Sequence, residues 1–108
     1  MFNSNSPDTD LLKTVLEPLL DDFQYWFGRS QHLLENEDIG FLNDEGQADL
    51  LARVRQAQLE VSAAQMLLKV TDRQVGVETS ALMPWHQLVT ECWQVSTRYR
   101  LEHSVENE

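Results

Sequence analysis

The sequence is short of cysteine, glycine and long apolar runs. Cys92 is the only cysteine among 108 residues, so no disulfide can form within the chain. The four glycines stand apart from one another, whereas phosphate-binding loops need glycine-rich turns. No stretch approaches the roughly 18 uninterrupted apolar residues of a membrane-spanning helix. The opening Met-Phe-Asn-Ser-Asn-Ser also lacks the basic and apolar regions of a signal peptide, so we expect a cytoplasmic protein without an integral membrane segment.

Basic residues are scarce as well. Eight Lys and Arg stand against 18 Asp and Glu, for a formal net charge of −10. Most of the excess lies in residues 1–50, where eleven acids oppose only Lys13 and Arg29. Nucleic acids and anionic lipids bind through Lys and Arg, so this composition argues against both. It favours a protein partner with a basic surface, which the acidic run from Glu35 to Asp49 would attract.

The chain is rich in apolar residues at helical spacing. The pattern predicts a first helix capped by Asp8 or Thr9, a second capped by Asn43 and ending near Thr71 or Asp72, and a third starting at Pro84 and ending near Glu102. Residues 1–7 and 103–108 are interpreted as flexible tails around a single domain, 8–102. Pro18 lies within the first helix, which we expect to be kinked but continuous, with two shorter helices as the alternative. Residues 73–76 form the next break, and 78–83 are expected to be an extended or one-turn connector.

The second helix carries apolar residues on two nearly opposite sides. One set is assigned to helix packing or dimerisation: Leu50, Val54, Ala57, Val61, Ala64 and Leu68. The other consists of Ala52, Leu59, Ala63, Met66 and Val70. Such a helix needs covering on both sides, by the first helix on one and the third on the other, or by a second copy. The predicted fold is therefore an all-α antiparallel bundle of three long amphipathic helices, completed by dimerisation.

Residues with catalytic or metal-binding chemistry do not form a recognisable pattern. No Glu is followed by His three residues later, as in di-iron bundles, and there is no Gly-x-Ser-x-Gly. Cys92 has apolar neighbours, which is typical of a buried, inert thiol. We therefore predict no metal, no cofactor and no enzymatic activity.

The aromatic residues offer the best candidates for a binding site. Most of them follow the apolar phase of their helices and are predicted to be core: Phe23, Trp26, Phe27, Trp85 and Trp93. Tyr25 does not, and it lies near Asp21 and Asp22. Trp85 and His86 open the third helix. Exposed aromatic side chains beside charges often anchor protein interfaces, so these five residues (Tyr25, Asp21, Asp22, Trp85 and His86) are the predicted partner-binding site, with Trp85 open to either interpretation.

Three segments resemble a known family: residues 11–23 (LLKTVLEPLLDDF), 74–79 (QVGVET) and 82–93 (LMPWHQLVTECW). They are similar to the cyanobacterial family called domain of unknown function 2605, and the similarity extends over about residues 8 to 102. The resemblance implies a cyanobacterial source but no activity and no functional residue. A role beside a photosynthesis-related complex is an expectation from that source alone.

The sequence as a whole predicts a non-enzymatic helical interaction module, an adaptor or assembly factor that is homodimeric. The alternative is a helical carrier of an apolar ligand or pigment, since cavities between bundle helices hold such ligands. A third possibility is a peripheral membrane protein that uses residues 82–93 at the lipid surface.

Overall fold

Three long helices make up the part of the chain that the structure, a computed structural model, describes: residues 7–70 and 79–106, with side chains over 14–70 and 82–104. They are α1 (Pro7–Asn36), α2 (Asp44–Val70) and α3 (Thr79–Glu106). No strand occurs among these residues. The predicted all-α fold is confirmed. The predicted break at 73–76 and the tail at 1–6 lie outside the described residues.

Helices that are consecutive in the sequence run antiparallel to each other. Gln24, near the middle of α1, donates to the Ser62 hydroxyl late in α2, at 2.8 Å, while Glu35, near the end of α1, pairs with Arg55 earlier in α2. The seven-residue connection between the two helices is too short for a parallel arrangement. α3 runs parallel to α1, because Tyr99 near its end donates to Glu37 just beyond the end of α1, at 2.9 Å.

The core is a single apolar cluster to which all three helices contribute. From α2 it takes the six residues of the first predicted set, every one of them buried within the single chain: Leu50, Val54, Ala57, Val61, Ala64 and Leu68. α1 contributes residues on one face, among them the fully buried Leu20 and Phe27, and α3 contributes Trp85 and Leu88. These positions repeat at three and four residues, so burial of one stripe per helix fixes how the helices face each other.

The second apolar set of α2 is not covered by α3, which corrects the expectation that the first and third helices take opposite sides. Leu59, Met66 and Val70 are 66–75% exposed. The polar strips beside the buried stripe contact the neighbours instead: Ser62 and Gln65 bond to Gln24 of α1, and Arg53 bonds to Glu91 of α3. Both neighbours therefore lie on the same half of α2, and its other half faces away from them.

The connection between α1 and α2 is held by one side chain that the sequence analysis overlooked. Gln47 donates its amide to the carbonyls of Leu34 and Glu37, at 2.9 and 2.8 Å, and accepts from the amide of Ile39 at 3.0 Å. Ile39 is fully buried, although the residues around it are mostly polar. Phe41 and Leu42 pack against the core.

Asn43 begins α2 as predicted. Its Oδ1 accepts from the amide of Gly46 at 2.6 Å, which satisfies a backbone donor that the first helical turn leaves without a partner. A Cβ at Gly46 would lie 2.9 Å from that Oδ1, so the residue at this position is small because the cap is tight.

The helix ends differ from their predicted positions at three places. α1 begins at Pro7, so Asp8 and Thr9 lie within the helix and do not cap it. α1 continues through Pro18 and on to Asn36, which confirms a continuous helix. α3 begins at Thr79, so Pro84 lies inside the helix and not at its first position. Because Pro84 is in the second turn, only a short preceding segment must accommodate its ring. α3 also reaches Glu106, where residues 103–108 were expected to be a tail; the imidazole of His103 lies over Tyr99, with ring centroids 3.8 Å apart.

Candidate protein interface

The structure removes Trp85 from the predicted partner-binding site. Its side chain is 5% exposed and meets Phe23 edge to face, with centroids 5.8 Å apart. Its indole N–H donates to Glu60 at the rim of the core, at 2.9 Å. A buried indole needs such a partner for its polar edge, so Trp85 is a core residue that links α3 to α2. The apolar phase of the third helix had already allowed Trp85 to be interpreted as a core residue from the sequence.

A different group of aromatic residues lies on the surface, where α1 and α3 run side by side. Tyr25 packs edge to face on Trp26, with ring centroids 5.0 Å apart. Trp26 packs in the same way on Trp93 of α3, at 5.4 Å. Tyr25 is 55% exposed and Trp93 42% exposed, while Trp26 is half-buried between them. We call Tyr25, Trp26, Trp93 and the adjacent Arg29 the aromatic face.

Trp93 was expected in the core and is not there. Cys92, its neighbour in sequence, occupies the buried position on α3, and the next residue points about 100° away around the helix. The apolar phase of α3 is broad enough to include either residue. The placement of α1 decides that Trp93 lies at the edge of the contact, where its ring packs edge to face on Trp26.

Arg29 fixes the orientation of the tyrosine. Its guanidinium donates to the Tyr25 hydroxyl at 3.1 Å and lies 5.8 Å from the centre of the ring. Tyr, Trp and Arg are the three residue types that most often dominate the energy of protein interfaces, because they bring large rigid area and a hydrogen-bonding end together. The aromatic face contains all three within two turns of α1 and one residue of α3.

Two more of the predicted site residues flank the aromatic face. Asp22 is exposed and precedes Arg29 by seven residues, which places both on one side of α1. His86 is exposed and precedes Trp93 by the same interval on α3. Asp21 is turned toward α2 instead, where its carboxylate accepts from Gln65 at 2.8 Å. Of the five predicted residues, Tyr25, Asp22 and His86 therefore lie on this side of the molecule.

A groove continues from the aromatic face along the contact of α1 and α3. It encloses about 530 Å³, and its walls include Arg29 and His32 from α1 and Tyr99 and Arg100 from α3. Glu37, which accepts the Tyr99 hydrogen bond, closes one end. The groove is open to solvent and combines apolar surface with charged side chains, which suits a side chain or loop of another protein.

Acidic residues concentrate at the end of the bundle where α1 turns into α2. Glu35, Glu37, Asp38 and Asp44 line a shallow depression there. The Arg55 guanidinium donates to Glu35 and, together with the amide of Gln31, lowers the pKa of that carboxyl. Glu37 accepts from Tyr99, and Asp38 and Asp44 are exposed. Together these carboxylates give this end its negative potential.

The ion pair between α2 and α3 lies apart from both surfaces. Arg53 binds Glu91 through two parallel hydrogen bonds of 2.8 Å and reaches back to Asp49 at 2.9 Å. The Arg53 hydrogen bonds hold the pKa of Glu91 below its ordinary value, against a smaller opposing effect of burial. Both side chains remain nearly half exposed, so the pair orients α3 on α2 but adds little stability.

The residues with nucleophilic or metal-binding potential are dispersed. Burial raises the pKa of the Cys92 thiol, a setting that disfavours the reactive thiolate. Nowhere in residues 7–70 and 79–106 do three His, Cys, Asp or Glu side chains converge as a metal would require. None of these helices is long and apolar enough to cross a bilayer.

Comparison with known proteins assigns the chain to a family. The family described as protein of unknown function (DUF2605) matches residues 6–101. The chain belongs to this family. The match covers α1, α2 and α3 as far as Leu101 in this DUF2605 member, including the aromatic face, and confirms the resemblance seen in residues 11–23, 74–79 and 82–93. No curated protein and no solved structure matches it.

Proposed function

We propose that this DUF2605 protein is a non-enzymatic helical interaction module, an adaptor or assembly factor, that binds another protein through the aromatic face. The observation that carries the proposal is the exposed chain of edge-to-face contacts from Tyr25 through Trp26 to Trp93, with Arg29 on the tyrosine. Preformed contacts of this kind reduce the side-chain entropy that binding would otherwise cost. The burial and raised pKa of Cys92 support the non-enzymatic part.

The proposed partner has a basic surface. The acidic end of the bundle would accelerate its approach, while the aromatic residues would supply most of the affinity. The proposal includes a homodimer and a cytoplasmic location. From the family resemblance it also includes a photosynthesis-related complex as the setting.

The carrier and membrane alternatives have less support. A groove between α1 and α2 encloses about 650 Å³, but it is open to solvent and contains Glu17, Asp21 and Lys69 in its walls. Apolar pigments and ligands favour enclosed, apolar sites. In the segment proposed for the lipid surface, Trp85, Leu88 and Val89 are buried in the protein core.

The test is affinity capture from cyanobacterial extract with the tagged full chain and three variants. Tyr25→Ala and Trp93→Ala remove exposed anchors, so we expect the recovery of a specific partner to fall at least about tenfold, as for interface residues worth more than 1.4 kcal/mol. Met83→Ala is the matched control, because Met83 is also an exposed apolar residue of α3, 57% accessible, but lies outside the aromatic face.

Circular dichroism establishes that the variants keep their helices. Unchanged recovery with both aromatic variants would contradict the proposed site. A native mass spectrum of the protein purified from its own host complements the capture: a multiple of the chain mass, or a foreign subunit, supports the module, whereas a small excess mass supports the carrier.

A further inference from the structure

The side of α2 that faces away from α1 and α3 carries a continuous apolar strip. Six exposed residues form it, and we call them the outer stripe: Ala48, Ala52, Leu59, Ala63, Met66 and Val70. The three large side chains are among the most exposed apolar residues described, at 67% for Leu59, 66% for Met66 and 75% for Val70. The stripe follows one side of α2 over about 33 Å, from its second turn to its end.

Neither neighbouring helix can cover the outer stripe. Contacts to α1 come from one flank of the buried stripe, through Ser62 and Gln65, and contacts to α3 from the other, through Arg53 and Glu60. Both flanks of the buried stripe therefore already contact another helix of the same chain. Among residues 7–70 and 79–106, no helix covers the outer stripe, so it is available to another molecule.

The distribution of side-chain size along the stripe identifies that molecule. The amino-terminal half carries small residues, Ala48 and Ala52, and the carboxyl-terminal half carries large ones, Met66 and Val70. The two halves are also symmetric about the middle residue: Ala52 and Met66 are each seven positions from Leu59, and Ala48 and Val70 are each eleven. A second α2 laid antiparallel would place Met66 and Val70 opposite Ala52 and Ala48, as close packing of helices requires. The two Leu59 side chains would meet at the centre, and Ala63 would lie opposite Arg55.

The charges at the two ends of α2 favour the same direction. Its first two turns carry Asp44, Glu45 and Asp49, whereas its last turn carries Lys69. Antiparallel pairing brings unlike ends together, and parallel pairing would set three carboxylates against three. Arg55 borders the stripe but its guanidinium is bound to Glu35 of α1, which draws it away from the stripe.

We infer that a second copy of this chain packs on the outer stripe, with the two α2 helices antiparallel and the twofold axis near Leu59. The interface is isologous, since both copies use the same surface and the Ala48 and Ala52 of one copy receive the Val70 and Met66 of the other. This inference rests on the homodimeric part of the proposed function. It assigns the dimer to α2 and leaves the aromatic face, on α1 and α3, free for the partner.

Analytical ultracentrifugation of the full chain tests the surface with two matched pairs of variants. Leu59→Glu and Met66→Glu place carboxylates in the outer stripe, and we expect each to raise the dimer dissociation constant at least about tenfold, because burying an unpaired charge is costly. Leu101→Glu and Met83→Glu are the controls; they change equally exposed residues, at 63% and 57%, on α3. The controls should remain dimeric.

Crosslinking tests the direction, in a Cys92→Ala background that removes the natural thiol. Leu59→Cys should form a disulfide with itself, and Ala52→Cys should crosslink to Met66→Cys when the two are mixed. Ala52→Cys alone should not, because its two copies would lie about 21 Å apart along the antiparallel helices. A disulfide from Ala52→Cys alone, without the mixed product, would overturn the antiparallel arrangement.

The outcomes separate this inference from the proposed function. A monomeric wild-type chain overturns both the inference and the homodimeric part of the proposal. A dimer that survives Leu59→Glu and Met66→Glu overturns the inference only. Monomeric α2 variants that still recover the partner support the inference and the aromatic face together.

Discussion

At the scale of single residues, the two tryptophans of α3 have opposite roles although they are eight positions apart in one helix. Trp85 is buried against Phe23 and bonded to Glu60, whereas Trp93 is partly exposed beside Trp26. Trp85 should therefore contribute more to stability, and Trp93 should contribute more to partner binding.

Alanine substitution distinguishes the two tryptophans. Trp85→Ala should lower the free energy of unfolding by about 3–5 kcal/mol, because it leaves a large cavity in the core. Trp93→Ala should cost only about 1 kcal/mol, from lost contact with Trp26. Urea unfolding followed by circular dichroism measures both. Comparable losses for the two variants would contradict the assignment of Trp85 to the core and Trp93 to the surface.

The lowered pKa of Glu91 predicts how the free energy of unfolding depends on pH. The folded chain holds this carboxyl ionised through Arg53, so it binds fewer protons than the unfolded chain at moderately acidic pH. The resulting stabilisation is present above the ordinary glutamate pKa of about 4.3 and is lost as the pH falls through the lower pKa of the folded state.

Glu91→Gln measures that contribution. At pH 7 we expect it to cost less than about 1 kcal/mol, since the ion pair is nearly half exposed and screened by water. Between pH 7 and pH 3 the difference in unfolding free energy from wild type should shrink toward zero. A difference that grows as the pH falls would show that the interaction does not depend on the ionised carboxylate.

At the scale of elements, the turn from α1 to α2 depends on one amide side chain and not on glycine. Gly40 lies in this turn, yet no described residue has positive φ. Gln47 joins the end of α1, the turn and the start of α2 through three hydrogen bonds, and thereby fixes where Ile39 enters the core.

Gln47→Ala should lower the free energy of unfolding by about 2 kcal/mol, because it removes three partners of backbone groups that are partly shielded from water. Gln56→Ala is a matched control in the same helix, since Gln56 is exposed and bonds only to Glu60 one turn away, at 3.3 Å. Its effect should stay within about 0.5 kcal/mol. Thermal and urea unfolding of both variants provide the comparison.

At the scale of the whole molecule, the net charge of −10 opposes the compact state. The described ion pairs, such as Arg53 with Glu91 and Arg55 with Glu35, are local and mostly exposed, whereas the excess of carboxylates at the α1–α2 end acts over longer distances. Screening by salt should therefore relieve more repulsion than it weakens attraction.

We expect the unfolding temperature to rise by roughly 2–5 °C between about 10 and 300 mM NaCl, at a fixed protein concentration. Asp38→Lys, at an exposed site of the acidic end, should raise the unfolding temperature in low salt and reduce the salt dependence. A fall in unfolding temperature with salt would mean that the ion pairs outweigh the general repulsion.

The amino-acid sequence alone predicts the three helices, the cap at Asn43 and the two apolar stripes of α2, because helical periodicity and capping depend on residues within a few positions of one another. It also determined that Tyr25 leaves the apolar phase of α1. These local features needed no knowledge of the neighbouring helices.

The packing of the three helices selects which of several suitable aromatic residues are exposed. The broad apolar phase of α3 allowed Trp85 and Trp93 either role, and the position of α1 buried one and left the other at the edge. In the same way, the two polar strips of α2 took the contacts with α1 and α3, so the second apolar stripe faces outward. A helix pattern states which sides of a helix are apolar, but the rotation and placement of its neighbours decide which of those sides are covered.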